Sequence, residues 1–341
     1  MRNVDLIDVD PALMEGAYNA INVCLQVQPG ERVTIITDER THDIAAAIAH
    51  EAVKVGAQCN ILLLEDFAPR PHHEMPQPIL DALADTDVSV YAAWGQAGEL
   101  RTRMQMTRVV TEHRVRHAHM INVNKQIMME GMRADFRKVD AISTRVWDLA
   151  RRARRIVCTT PMGTNITAEL NPNLKWIKTS GIISPEKWGN LPGGEVFTAP
   201  MNVQGTFVVD GVVGDYLCTK FGDLKETPLT IEIANSRMVS ASCANKELER
   251  EFWEYCHTDK NSDRVGEFAV GTNIQLKHVI GHILQDEKIP GVHIAFGHPY
   301  AEHTGADWSS STHIDVVGTN FDIWIDGKKI MDRGKFLLDL C

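Results

Sequence analysis

The run His313-Ile-Asp-Val-Val317 is β-branched enough to predict a strand. Side chains two apart on a strand share a face, so His313 and Asp315 stand side by side, a spacing suited to two ligands of one metal site. Glu267 interrupts the apolar run Val265-Gly-Glu-Phe-Ala-Val270, and His293 interrupts Val292-His-Ile-Ala-Phe296. A carboxylate in such a strand is costly to bury unless it is paired or bound to a metal. Glu195 lies between a Pro-Gly-Gly turn and the stretch Val-Phe-Thr-Ala-Pro200. Singly, each residue admits a plainer role: a hydrogen-bonded core histidine, a turn-capping Glu195, a Glu267–Arg264 pair. Together, three carboxylates and two neutral imidazoles carry a charge of −3. Two divalent cations and a bridging hydroxide would bring that to zero, whereas three clustered carboxylates without cations would repel and titrate upward.

The elements that must position these residues fall into two patterns. Over residues 1–155, helical and strand periodicities alternate. Helical spacing runs from Pro11 to Val27 with Asp10 as N-cap, from Asp43 to Val55 up to Gly56, from Pro78 to Leu83, and over 134–155. Short apolar strands are expected at Arg32–Thr37, Asn60–Leu64 and Val88–Ala92. This order predicts an α/β domain with a parallel sheet covered on both faces. Over residues 156–341 the expectation is a mixed, mostly antiparallel β-rich domain that carries the metal site. Its strands are Gly205–Val213, Leu229–Ile233, Val265–Val270, Val292–Phe296, His313–Val317 and Phe321–Ile325, with an Asp326-Gly327 hairpin turn and one helix, Asn245–Cys256.

The 341 residues carry 35 basic and 45 acidic side chains, a net charge of −10. The first 155 residues hold −2 of this and the remainder −8, so a site that needs carboxylates is expected in the second half. Such acidity excludes non-specific nucleic-acid binding, which needs phosphate-neutralising cations. Seven widely spaced cysteines without a Cys-x-x-Cys argue against a disulfide framework. The N-terminus has acids where a signal peptide needs apolar residues, and no run of about 18 apolar residues suggests a membrane span. A cytoplasmic protein is expected. No dinucleotide fingerprint, P-loop, nucleophile elbow or His-Glu-x-x-His is present. The basic stretch from Arg101 to His119 is expected to be a solvated or subunit-contact surface.

Leu191-Pro-Gly-Gly-Glu-Val-Phe-Thr-Ala-Pro200 resembles the glutamate motif of the aminopeptidase T/aminopeptidase S family of dinuclear metallopeptidases, the thermophilic metalloproteases. Gly266-Glu267, Asp286-Glu-Lys-Ile-Pro-Gly-Val-His-Ile-Ala-Phe-Gly297, Tyr300 and His313-Ile-Asp315 follow in that family's order. The resemblance covers most of residues 156–330. It implies a two-domain homodimer and a metal centre of Glu195, Glu267, His293, His313 and Asp315, with Glu267 as bridge. It also implies that Tyr300 is the active-site tyrosine and that the Thr160–Thr167 segment, with Thr164, lines the pocket. Two divalent ions would lower the pKa of a bridging water and polarise the scissile carbonyl. Mixed N/O ligands suit Zn, Co, Mn or Fe. Glu195 would shuttle the proton and Tyr300 donate to the developing oxyanion.

The chain departs from the family's studied peptidases in a shorter loop between Tyr300 and His313. His298 and His303 fall at or in that loop and are expected to govern substrate choice. The substrate would be a short peptide with a free amino terminus or a related small amide. The alternative is a mononuclear iron(II) oxygenase that uses Glu267, His313 and Asp315. It is similar to the 2,5-dihydroxypyridine 5,6-dioxygenase of the same superfamily, which has a histidine in place of Glu267 and lacks the equivalent of Glu195.

Overall fold

The computed structural model of the protein describes residues 9–96 and 98–338. The first eight residues of the N-terminal reading, and Cys341, lie outside the described residues. The chain forms two compact units: residues up to Arg137 with Gly181–Gly193, and Lys138–Ser180 with Gly194 onward.

In the first unit, strands β1 (Arg32–Thr37), β2 (Gln58–Leu63), β3 (Val88–Ala92), β4 (Arg116–His119) and β8 (Gly189–Asn190) form one parallel sheet in the order β2-β1-β3-β4-β8. The alanine-rich helix His42–Val55 buries Ala45, Ala46, Ala49 and Ala52 and stops at Gly56, whose φ of +94° an L side chain rarely adopts. The apolar face expected over Pro11–Val27 is buried through Leu13, Ala17, Ala20, Ile21 and Cys24. That segment is not one helix, however. It runs as a 3₁₀ turn (Pro11–Leu13), an α-turn (Met14–Tyr18) and a π-turn (Asn19–Cys24). The arginine-rich stretch includes a helix, Leu100–Glu112, which buries Thr102, Met106 and Val110 at intervals of four and leaves Arg101 exposed.

The second unit holds the remaining strands: β5 (Arg155–Thr159), β6 (Asn165–Glu169), β7 (Ile177–Thr179), β9 (Glu195–Thr198), β10 (Asn202–Val209), β11 (Leu229–Ala234), β12 (Arg237–Ser242), β13 (Val265–Gly271), β14 (Gly291–Gly297), β15 (His313–Val317), β16 (Asp322–Ile325), β17 (Lys328–Asp332) and β18 (Lys335–Phe336). They make two antiparallel sheets, β12-β11-β10-β6-β5-β16-β17-β18 and β15-β14-β13-β9-β7. The mixed α/β architecture is the expected one.

Some boundaries differ from the sequence reading. The helix expected over 134–155 ends at Ala150, because the Arg154 and Arg155 amides donate to the Asp326 carboxylate at 3.1 and 2.9 Å and turn the chain into β5. The division between the units falls at Arg137/Lys138 rather than near 155. Ile142, Val146 and Ala150 of that helix pack into the second unit's core. That core is one apolar cluster shared by the inner faces of both antiparallel sheets, including Ile156, Phe207 and Ile323 from one and Val196, Phe268, Val270, Ile294, Phe296 and Val316 from the other.

Candidate metal centre

The five-stranded sheet separates its two faces by alternation. Val292, Ile294 and Phe296 of β14, Ile314 and Val316 of β15, Phe268 and Val270 of β13, and Val196 of β9 enter the core. The intervening positions, Glu195, Glu267, His293, His313 and Asp315, therefore share the opposite face. Ala295 pairs with both Glu267 and Asp315, and Ala269 pairs with His293.

Glu267 reaches that face through an irregularity. Val265 is in the core, so strict alternation would also turn residue 267 inward. A β-bulge at Val265/Glu267 inserts Gly266 and reverses the phase. Only glycine fits there, since a Cβ on Gly266 would lie 2.3 Å from the Gly297 carbonyl oxygen. Gly194, at φ +131° and packed on Asn273, likewise sets the entry to Glu195.

The donor atoms converge. Ligand atoms of Glu195, Glu267 and His293 lie within 4.8 Å of one another, as do those of Glu267, His313 and Asp315, and those of Glu287, His293 and Asp315. His293 Nε2 is 3.4 Å from both Glu195 Oε2 and Glu267 Oε1, and His313 Nε2 is 3.4 Å from Asp315 Oδ1 and 3.9 Å from Glu267 Oε2. His293 is 1% exposed, yet neither ring nitrogen makes a hydrogen bond. A buried imidazole in that state, facing two carboxylates, fits a metal ion. His313 Nδ1 lies 2.9 Å from the His298 carbonyl oxygen, which fixes the tautomer that leaves Nε2 for an ion.

Sequence reasoning missed two members of the site. Lys288 is 1% exposed, and its ammonium lies 2.7 Å from Glu195 Oε1 and 2.5 Å from Glu287 Oε1. Thr179 Oγ1 donates to the same Glu195 oxygen at 2.8 Å, so Oε2 alone faces His293. The one available signal was the charged triplet Asp286-Glu-Lys288 in an otherwise apolar segment. Its first member is structural, with the Asp286 carboxylate accepting the Ile280 and His282 amides.

Burial sets the direction of titration in this cluster unless a charge outweighs it. Burial alone would raise the Glu195 carboxyl, but Lys288 and His293 hold it well below the ordinary carboxylate range. Burial pushes Glu267 up, and it pushes Glu287 up to about 8 against the pull of Lys288. Burial would lower His313, but Asp315 and Glu267 raise it to about 10.

Tyr300 starts the short loop in the left-handed region, at φ +48°. Its ring lies 4.7 Å from the His313 ring and 5.9 Å from that of Phe197. Although 36% of the residue is exposed, burial and the charges of Glu267 and Asp315 push its hydroxyl well above the ordinary value. His298 is half-buried. Its Nδ1 accepts the Tyr300 amide at 3.0 Å, and its ring stands edge-on to Tyr300. His303 is exposed beside Glu302. Thr164 is buried with its hydroxyl on the Val208 backbone. The structure thus brings the five expected donors and Tyr300 together, sets His298 against Tyr300, and leaves His303, expected to govern substrate choice, on an exposed position and Thr164, expected to line the pocket, buried on the Val208 backbone.

Comparison with known proteins points the same way. The sequence profile of the thermophilic metalloprotease (M29) family matches residues 149–329. No curated protein matches the chain. Among solved structures, 2,5-dihydroxypyridine dioxygenase from Pseudomonas putida superposes with a TM-score of 0.72 at 15% identity, over 97% of this chain and 99% of that one. Wild-type AmpT from Thermus thermophilus superposes with a TM-score of 0.68 at 17% identity, over 96% and 99%. At such identities the likeness is one of fold.

Proposed function

The chain belongs to the thermophilic metalloprotease (M29) family and is a metal-dependent peptidase; on that premise we propose that it is a two-metal aminopeptidase acting on short peptides. The observation that carries this reading is the row of buried donors on one sheet face, with both ring nitrogens of His293 unsatisfied. Glu195 Oε2, His293 and Glu267 would hold one ion, and Glu267, His313 and Asp315 the other, with Glu267 bridging. Divalent ions there supply Lewis acidity and a water acidified toward neutral pH.

The chain's own residues do the rest. Lys288 and Thr179 orient Glu195 and leave one of its oxygens free. Lys288 also keeps Glu195 ionised, and Glu287 lies on the other side of the same ammonium, beside the donors. Tyr300, kept protonated, is placed to donate to a developing oxyanion. The Phe197 and Tyr300 rings pack against each other, 5.9 Å between centroids, beside the donors. Among the described residues no helix is long and apolar enough to cross a membrane, and the six described cysteines are free thiols. The free thiols fit a reducing compartment, and we extend the proposal to a cytoplasmic homodimer.

The test is metal analysis of protein purified without added metal, followed by reconstitution with Zn, Co, Mn and Fe(II). Activity is then assayed on a panel of aminoacyl amides and short peptides. Two ions per chain with peptide hydrolysis is the expected result. One ion per chain with cleavage of hydroxylated pyridines would replace the proposal with the oxygenase reading.

A further inference from the structure

A cleft of about 310 Å³ opens in the second unit, lined among others by Asn171, Leu174, Met201, Arg264, Asp307 and Trp308. Its walls continue the elements that carry the donors. Ala199–Met201 follow β9, which begins at Glu195; Arg264 directly precedes β13; and Gly305–Trp308 belong to the loop that starts at Tyr300. Val265 points into the core, so alternation turns Arg264 toward the face that bears Glu267.

Arg264 is prepared for a ligand. Its guanidinium carbon lies 4.1 Å from the centre of the Trp308 ring, a cation–π contact. Among the described residues it makes no ion pair. The neighbouring Arg237 is instead paired with Asp263. Asp307, exposed on the rim, attracts Arg264 but does not reach ion-pair distance. A guanidinium packed on an aromatic ring with its donors free is a receptor for a planar anion, and a carboxylate matches its fork.

The distances select the ligand. Glu267 is three residues along the chain from Arg264, and the Gly266 bulge shortens the span to somewhat under about 10 Å. A peptide also advances about 3.3–3.6 Å per residue. With its first carbonyl at the donor cluster, a di- or tripeptide would bring its terminal carboxylate within reach of the Arg264 side chain. The volume is at the small end of ligand sites, which run from about 300 Å³ upward.

Building on the peptidase reading, we propose that this cleft binds the C-terminal carboxylate of di- and tripeptide substrates through Arg264, with Trp308 as its backing. The metal-reconstituted enzyme is assayed on Leu-Gly-Gly and on its C-terminal amide. Wild type is expected to prefer the free acid. In Arg264→Gln the KM for the free acid should rise about 10–100-fold, the value of a charge-assisted pair, and the acid-to-amide ratio should fall to about one. Asp307→Asn should move the KM for the free acid the opposite way. Arg264→Lys, which keeps the charge but not the fork, should be intermediate, and unchanged metal content in each variant reports an intact fold.

Equal losses on acid and amide, or none, would overturn the proposal. Failure of the peptidase reading looks different, because wild type would then cleave neither peptide. The cleft is in that case judged by calorimetric titration with Gly-Gly. Binding lost in Arg264→Gln upholds it, and equal or absent binding in both proteins refutes it.

Discussion

Replacing Glu267 with Gln separates a metal ligand from a structural carboxylate by the sign of its effect. In the metal-free protein, Glu267 is a buried acid whose carboxyl is pushed up by burial and by the charges of Asp315 and Glu195. Gln keeps the shape and removes the charge, so the metal-free variant should be at least as stable as wild type. With metal the order should reverse. Loss of an outer-shell partner alone weakens metal binding about 10–100-fold, so loss of the bridging charge should cost about 100-fold or more. At free metal 100 times the wild-type Kd, binding stabilises wild type by about 2.7 kcal/mol, while a 100-fold weaker variant gains about 0.4 kcal/mol. The difference, about 2.3 kcal/mol, corresponds to roughly 5–9 °C in Tm for a domain of this size. Thermal melts of both proteins with and without the reconstituting ion give all four values. Full metal content, together with an unchanged metal-induced Tm shift in the variant, would remove Glu267 from the ligand set.

Tyr300→Phe should leave the metal content unchanged and lower kcat about 10²–10³-fold, as loss of one oxyanion donor does; wild-type kcat would reduce the ring to packing on His313. His298→Ala should lower kcat by freeing Tyr300, whereas His303→Ala, on an exposed side chain, should leave kcat/KM within a few-fold of wild type across a substrate panel. Lys288→Met leaves Glu195 and Glu287 buried without their shared cation and should destabilise the metal-free protein by about 3–5 kcal/mol; Glu287→Gln in the same chain should restore part of that in urea melts. Burial pushes His117 down to about 3, below its unfolded value of about 6.5, so its contribution is complete above that value and is lost as pH falls through it. The metal-free protein should lose about 1.4 kcal/mol between pH 7.5 and 5.5 on this account, and His117→Gln should flatten that slope in urea melts.

Four of the five candidate donors were legible because they broke apolar strand patterns, with alternation putting His313 beside Asp315, while Glu195 was legible through the glutamate motif that follows its Pro-Gly-Gly turn. Lys288 and Glu287 were not legible. They flank the short helix Ile283–Asp286 and an irregular turn, where no periodicity assigns a face, and a charged pair in a loop reads as solvated until its burial is known. The bulge at Gly266 was hidden for a related reason. The sequence Val265-Gly-Glu267 fits plain alternation as well as a shift of phase, and only the close approach of the Gly297 carbonyl decides between them. Helix ends were misplaced where the stop signal is distant. Asp326 terminates the turn before β5 from 171 residues away along the chain.

A sheet face is a demanding place to build a metal centre. Side chains directly opposite on paired strands sit about 4.5–5.5 Å apart, close enough for two donors to share an ion only if nothing bulky stands between them. In this chain the intervening positions on β13 and β14 are Ala269 and Ala295, with Gly271 and Gly291 beyond them. Ala295 lies between Glu267 and Asp315 across three strands, and Ala269 lies between His293 and Phe197. The volume an ion would need at the proposed centre is therefore left by small side chains rather than by a loop that opens. The same two alanines are fully buried, so a valine at either position would press into the donor cluster instead of into solvent. The fold supplies a rigid floor of alternating apolar residues. The small residues supply the depth, and the donors projecting from four strands decide what chemistry that depth can host.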